Sequence, residues 1–424
     1  MKKFFSAGFL YVLFTALLFA GGIENKTNMS TGYLRNPSRN AETKRPEAAF
    51  YNIAGTAFME DGFYLEVGNQ FIIKEYRNST DDTALCTLLD KTEAEYSERT
   101  KVLLYPDFDL VFHHKDFSGF LAAGVFAGGG ELNYNNGTAL TAALFANQAM
   151  ANPAAATLLL GAAKDHSLFV DSVTYGGQVG AAYKFLNDRI ALAAAFRAVY
   201  GTQSMELTSS YLSALNGGDT IGYDADAWGY GAVFGLHVRP LEKVDISLQY
   251  QTRDKIEYEA KNSKGNLAAA FGIKDGVKFR TDLPAVLSFG TALSFDLPLV
   301  ISFSYNYYFN TDAHQDSILA ETKYEDSAEI ALGIDYRFDK KFSAGFGISY
   351  ADQGESDSEN SAFNPVLDSL CIGAGVEASP IEQLTITAAF MWVKYFDADY
   401  TVSTVEFNLE KDLFMFSAGA TLKL

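Results

Sequence analysis

The side chains able to bind or react in this 424-residue chain are few: five histidines, two cysteines and a handful of basic residues at strand-like positions. Acyl or phosphoryl transfer would need a nucleophile, a base and an orienting carboxylate at workable spacing. His113 and His114 fall in a predicted tight turn, and His166 and His314 in predicted loops. Only His237 projects from a predicted strand, and none of the five has Ser and Asp partners at recognisable spacing. Cys86, in a predicted loop, and Cys371, in a predicted strand, are too few for a metal cage or a disulfide framework. Gly229, Gly231 and Gly235 have the wrong spacing for a phosphate loop and lie within a strand pattern. The acidic run from Asp352 to Glu359 has oxygen ligands suited to calcium, but a solvated loop accounts for it more simply. Ligand binding remains. Strand phase turns Lys184, Arg197 and Arg253 to a polar face, and Arg197 has Ala191, Ala193, Ala195 and Val199 beside it. A cation among small side chains leaves room for a carboxylate headgroup. A salt bridge to one of the 52 acidic residues is the competing assignment for Arg197. No metal and no cofactor is expected.

These side chains must be positioned by an exported β protein. Residues 1–20 read as a signal peptide, with Lys2 and Lys3, an apolar run from Phe4 to Phe19, and Ala20-Gly21 as a small-residue cleavage site. No later stretch has the roughly 20 uninterrupted apolar residues of a membrane helix. With 48% hydrophobic and 14% aromatic residues, that leaves a β-barrel or a large secreted β protein. A formal charge of −19 argues against nucleic acid as a partner and suits solvated loops and a polar lumen.

From Gly62 onward the pattern is that of a membrane barrel. Phe63, Leu65, Val67, Phe71 and Ile73 alternate with Tyr64, Glu66, Gly68, Gln70 and Lys74, as in a wall between lipid and a polar interior. Glu329, Asp335 and Arg337 alternate in the same way with Ile330, Leu332, Ile334 and Tyr336. Six short connections (His113–Asp116, Leu186–Arg189, Pro240–Lys243, Asp296–Pro298, Asp339–Lys341, Ser379–Glu382) alternate with seven long ones (Arg77–Tyr96, Glu131–Asp171, Leu207–Asp224, Lys261–Asp282, Asn310–Asp326, Asp352–Pro365, Thr401–Lys411). The count predicts an all-β, 14-stranded antiparallel transmembrane β-barrel over 62–424, with tight turns on one side of the membrane and long loops on the other. Residues 21–61 are polar and irregular. Such backbone cannot face lipid, so at membrane depth it must lie inside the barrel as a hatch, or plug.

Two stretches of the barrel stand out. Phe126-Ala127-Gly128-Gly129-Gly130 ends the third strand, where consecutive glycines permit a bend or bulge; an ordinary turn into the next loop is the alternative. That loop contains an apolar helical stretch over 138–163, with Asn152-Pro153 as N-cap and first residue of a second helix. Leu140, Leu144, Phe145 and Met150 with Leu158, Leu159 and Leu160 either line a groove that collects ligand or bury the loop's own apolar face over the barrel mouth.

The hatch carries Ser38-Arg39-Asn40-Ala41 and then Tyr51-Asn52-Ile53-Ala54-Gly55 just before the first strand. In this it resembles the long-chain fatty-acid transporter family of outer-membrane proteins, the FadL and TodX type, whose hatch has Ser-Arg-Asn-Ala and then Tyr-Asn-Pro-Ala-Gly. Ile53 stands where the family has proline and does not fix φ as proline would. Similarity continues at Asp282-Leu283-Pro284-Ala285 and Asn364-Pro365-Val366-Leu367-Asp368. The resemblance implies passive uptake of hydrophobic molecules, foremost long-chain fatty acids, across the outer membrane of a diderm bacterium by a monomer in contact with outer-membrane lipid. It implies a gate at Asn52, Ile53, Ala54 and Gly55, and a lateral exit where the third strand kinks inward at Phe126 to Gly130. Ligand contacts are expected from Phe50, Tyr51, Lys184, Arg197, Leu140, Leu144, Phe145 and Leu159. Rival assignments are a general porin, a surface adhesin or antigen, and an outer-membrane lipase or protease. The hatch would obstruct the first, and the last lacks an assembled catalytic group.

Overall fold

The computed structural model describes residues 28–424 apart from 129, 187, 271, 317, 319–323, 355–365 and 403. The leader, the first residues of the hatch, Gly129 and most of the predicted loop over 352–365 therefore lie outside the described residues. From Gly62 the chain forms 14 antiparallel strands: β1 (Gly62–Thr80), β2 (Ala94–Val102 and Pro106–His114), β3 (Phe117–Ala127 and Leu132–Tyr134), β4 (Ser167–Phe185), β5 (Ile190–Thr208), β6 (Thr220–Leu241), β7 (Val244–Gln251 and Glu257–Lys264), β8 (Lys278–Arg280 and Ala285–Ser294), β9 (Leu299–Phe309), β10 (Ser327–Arg337), β11 (Phe342–Asp352), β12 (Ser369–Ile381), β13 (Leu384–Tyr395 and Ala398–Val402) and β14 (Val405–Lys423). Each pairs with its sequence neighbours, and β1 pairs with β14 from Tyr64↔Lys423 to Ser79↔Asn408, closing the barrel. Closure removes the open sheet edges that hydrocarbon would not tolerate, apart from a local gap between β2 and β3.

Side-chain direction follows the alternation. Glu66, Gln70 and Lys74 of β1 are buried inside, while Val67 and Phe71 stand out on the lipid side. All six tight turns fall between strand ends as expected. The seventh long connection does not form: β13 and β14 stay paired up to Val402↔Val405, so the segment over 401–411 belongs to a hairpin. The alternating Tyr400, Phe407 and Leu409 sustain pairing by burying their side chains inside it. His113 and His114 end β2 rather than sitting in the turn; His113 points inward, and Asp61 reaches both rings. Arg253 is not on a strand but in the interruption of β7.

The hatch occupies the lumen as two short helices, Thr31–Arg35 and Ala48–Tyr51, followed by a 3-10 helix over Ile53–Phe58. A buried lattice of charges holds it. Arg35 Nη2 lies 2.7 Å from Asp335 Oδ1 of β10, and Arg45 pairs with Glu377 of β12. Arg39 Nη1 lies 2.7 Å from Glu42, and its other nitrogen reaches Asp335 at 3.4 Å. Asn40 then anchors the segment to β8 and β9. Its amide donates to the carbonyls of Phe289 and Tyr305 and to Asn306 Oδ1, at 3.1, 3.2 and 2.9 Å. Glycines on the wall admit this segment: a Cβ at Gly290 would meet the Asn40 carbonyl carbon at 2.5 Å, and one at Gly333 would overlap the Asn36 side chain.

Removing one member of a buried ion lattice leaves its partners uncompensated, at a cost of about 3–5 kcal/mol. Arg39→Ala is expected to release the hatch and leave the barrel closed. Proteolysis should then cut between Asn28 and Asp61 in protein that still shows heat-modifiable migration; loss of that migration would make the lattice a requirement for barrel assembly.

Candidate functional site

Asn52 starts the 3-10 helix by accepting from the Gly55 N–H at 3.1 Å, and its amide donates to the Glu42 carbonyl at 2.9 Å. The same amide contacts His237 Nδ1 at 3.0 Å, and His237 Nε2 lies 2.9 Å from Asp245. The cap is therefore tied to the wall through β6 and β7. Ile53 is fully buried, and its N–H donates to Gln249 Oε1 at 3.0 Å, while Gln249 Nε2 donates to the Phe50 carbonyl at 3.0 Å. A proline at 53 has no such N–H. This chain thus replaces a stiff φ by a two-bond clamp from β7. Ala54 packs against Gly235, where a Cβ would come within 3.1 Å of the Ala54 nitrogen, and Gly55 has no room for a Cβ beside the Glu42 carbonyl. The glycines of β6 are therefore small lumenal residues: Gly235 admits the hatch, and Gly229 and Gly231 admit residues 252–256, in the interruption of β7.

Beyond the clamp lies the bend in β3. The β3–β4 ladder shifts register between Val125 and Ala127, making Phe126 the extra residue of a β-bulge. Its ring turns inward onto Gly176, against Phe50 of the hatch at a centroid distance of 5.2 Å, with the Arg197 guanidinium 4.6 Å from its centre. Gly128 has φ +96°, and a Cβ there would lie 2.4 Å from the Ser172 carbonyl oxygen. Gly130, at φ +67°, donates its N–H to that same oxygen at 2.9 Å. Glycine is thus demanded by backbone conformation at both positions. Tyr51 stacks on Tyr33, and its hydroxyl oxygen accepts from the Met29 N–H at 2.8 Å.

The bend coincides with an unzipped seam. β2 and β3 are laddered from His114↔Phe117 only as far as Phe108↔Ala123. Above that pair, Ala94–Val102 pairs with β1 and Leu132–Tyr134 with β4, and no ladder joins the two segments to each other among the described residues. β2 itself breaks at Leu103, Leu104 and Tyr105. Both leucines are exposed, and Asn69 bonds the Leu103 carbonyl at 3.1 Å and the Tyr105 N–H at 3.0 Å. The Tyr105 hydroxyl crosses the seam and donates to the Val125 carbonyl at 3.1 Å. Sequence reasoning missed Tyr105; its signal was Leu103-Leu104-Tyr105-Pro106, an apolar break in a polar-alternating strand.

Arg197 is inside the barrel and is committed to a partner. Its Nε lies 2.8 Å from Asp254 Oδ2, and its Nη1 donates to Gln251. A Cβ at Gly231 would overlap Asp254, so β6 makes room for this pair. Lys184 lies lower, 3.3 Å from Asp188 and above the Phe58 ring. The helical loop forms Ala139–Ala151, capped reciprocally by Thr138 and Thr141, and Ala156–Lys164. Asn152 is the C-cap of the first helix, not the N-cap of the second, because its N–H completes the bond to Gln148 and a turn intervenes. Leu140, Leu144 and Phe145 are buried between the loop and the strands beneath, so they do not line an open groove; Leu159 is half-buried and Met150 exposed. Both cysteines are free.

A closed transmembrane barrel, filled by its own N-terminal segment and unzipped beside that filling, is the architecture of an outer-membrane channel. The model of one family, outer membrane protein transport protein (OMPP1/FadL/TodX), matches residues 125–421, and the chain belongs to it. The family's members are outer-membrane transport channels for hydrophobic molecules in Gram-negative bacteria, not enzymes. A FadL homologue of Pseudomonas aeruginosa is similar in structure with a TM-score of 0.69 at 14% identity, covering 95% of this chain and 99% of its own. The toluene transporter TodX of P. putida has a TM-score of 0.61 at 14% identity, over 91% and 97% of the two chains. The monoaromatic hydrocarbon channel CymD has 0.58 at 11%, over 92% and 97%. No curated protein matches the sequence.

Burial pushes the imidazole of His166, under the helical loop beside Phe145, down to about 4. The folded loop therefore holds it neutral, whereas unfolded histidine titrates near about 6.5. The resulting stability, about 3 kcal/mol, is complete above pH 6.5 and is lost as pH falls from 6.5 toward 4. Cleavage of the segment over 138–164 by an added protease should accelerate across that window in intact barrels, and His166→Gln should flatten the profile; a pH-independent rate in the parent protein would contradict this.

Proposed function

We propose that this channel takes up long-chain fatty acids passively, passes them beside the hatch to the Phe50, Phe126 and Arg197 region, and releases them sideways between β2 and β3 into the bilayer. Residues 1–20 are its export leader, 21–61 its hatch, and 62–424 its barrel. The observation that carries the reading is the seam: the ladder ends at Phe108↔Ala123, next to a bulge whose extra residue, Phe126, touches both the hatch and Arg197. An apolar molecule resting there is one strand's width from lipid. In the fatty-acid reading Gln251 and Arg197 share the carboxylate, with Phe50 and Phe126 against the chain and Tyr51 behind them. Leu159 and Lys184 lie at the outer and inner ends of the route.

One observation favours a second cargo. Asp254 already neutralises Arg197, so an uncharged hydrocarbon would enter without displacing any partner, and the named channels for toluene and monoaromatic hydrocarbons have the same fold. Arg197→Ala separates the two. It should weaken a long-chain fatty acid by about 1.5–3 kcal/mol and spare the matching alcohol and toluene. Equal weakening of all three would remove the headgroup role and leave the uncharged cargo.

The exit is tested at Tyr105. Tyr105→Ala should widen the seam and speed transfer of a bound fluorescent fatty acid into liposomes several-fold, with unchanged affinity; Tyr105→Trp should slow it. Transfer rates indifferent to both variants would place the exit along the barrel axis.

A further inference from the structure

Three carboxylates lie inside the barrel at the foot of the seam: Glu66 on β1, and Asp107 and Asp109 on β2. They do not belong to the hatch lattice or to the transport route described above. Cross-strand register brings them together, because Glu66 pairs with Asp109 and Gly68 with Asp107. One oxygen from each lies within 4.8 Å of the other two, and all three residues are buried. Strand alternation alone does not require this. Buried like charges directly opposite one another are unfavourable unless something is held between them.

Two independent features point to a bound ion. Asp107 is only 5% exposed, yet neither of its carboxylate oxygens has a hydrogen-bond partner among the described residues. A buried carboxylate left without partners is costly. The wall is also shaped for it: a Cβ at residue 68 would lie 2.4 Å from Asp107 Oδ1, so only glycine there admits the carboxylate. Among the described residues Thr421 reaches the group from β14: its hydroxyl donates to Glu66 Oε2 at 2.9 Å and leaves Oε1 for another contact. No Lys, Arg or His lies within ion-pairing distance of the three among the described residues.

We propose that Glu66, Asp107 and Asp109 form a lumenal site for one hard divalent cation of the calcium or magnesium class. All three donors are carboxylate oxygens, with no sulfur or imidazole in the set, which selects such ions over zinc or copper. Bidentate binding and water complete the six to eight oxygens calcium takes. The charge of the ion offsets that of the carboxylates. It also braces β2 immediately after the break that carries Tyr105, because Asp107 follows Tyr105 by two residues.

The test uses the full chain purified in detergent, stripped with chelator and titrated calorimetrically with calcium chloride. One saturable site should fill below about 1 mM calcium, and calcium should raise the thermal midpoint. Asp107→Asn should weaken binding at least tenfold and abolish the calcium-dependent rise. Asp399→Asn, at the exposed β13–β14 hairpin, should leave both intact. Asp109→Asn serves if heat-modifiable migration shows that Asp107→Asn does not fold. No saturable binding, or binding unchanged in both cluster variants, overturns the site. So does a higher midpoint for Asp107→Asn regardless of calcium, because removing a charge then relieves repulsion that no cation was offsetting.

Discussion

Hydrocarbon offers nothing to a backbone N–H or C=O, and that constraint organises the whole molecule. It forces each strand to find two neighbours, closes β1 onto β14 and confines irregular backbone to the lumen. It also makes any local failure of the ladder informative. Where β2 and β3 part, the backbone groups are met by side chains and bulged contacts instead: Asn69 serves Leu103 and Tyr105, Tyr105 serves Val125, and Ser172 serves Gly130. A seam maintained by single bonds opens at far lower cost than a ladder, which is the property a lateral route requires.

The lumen obeys a second constraint, that charge brought out of water must be compensated. Arg35, Arg39 and Arg45 meet Glu42, Glu47, Asp335 and Glu377. Arg197 meets Asp254, and Arg239 meets Asp245 at 2.7 Å. Around Arg197, on the proposed route, the polar groups are thus engaged with one another, and Phe50 and Phe126 present apolar surface beside them. Such a lining favours molecules that ask little of it in hydrogen bonds.

Strand number, the inward set and the six turns were legible because period-2 alternation and turn chemistry are local. The bend in β3 was legible too, since glycine is needed wherever φ is positive, as at Gly128 and Gly130. What escaped depends on residues far apart in sequence. The pairing of Arg197 with Asp254 exists only because β7 is interrupted after Gln251. The clamp by Gln249 requires knowing which inward residue of β7 faces residue 53. Misreading 401–411 as a loop came from its charged residues, of which Glu406 and Glu410 lie on the outer face of a hairpin whose inner face buries Phe407, Leu409 and Lys411. Asn152 misled because Asn-Pro starts helices as readily as Asn ends them.

The placement of the hatch's partners fixes the order in which the protein can be assembled. The segment over 28–61 leaves the ribosome ahead of every strand, yet its contacts are Gln178 on β4, Gln249 on β7, Ser304 on β9, Asp335 on β10 and Glu377 on β12. Its seat does not exist until most of the chain has entered the membrane. A segment that precedes every strand in the chain thus has its full set of partners only once β12 is in place. A barrel truncated before β12 would lose not only its closing strands but also the lock on a segment more than three hundred residues upstream.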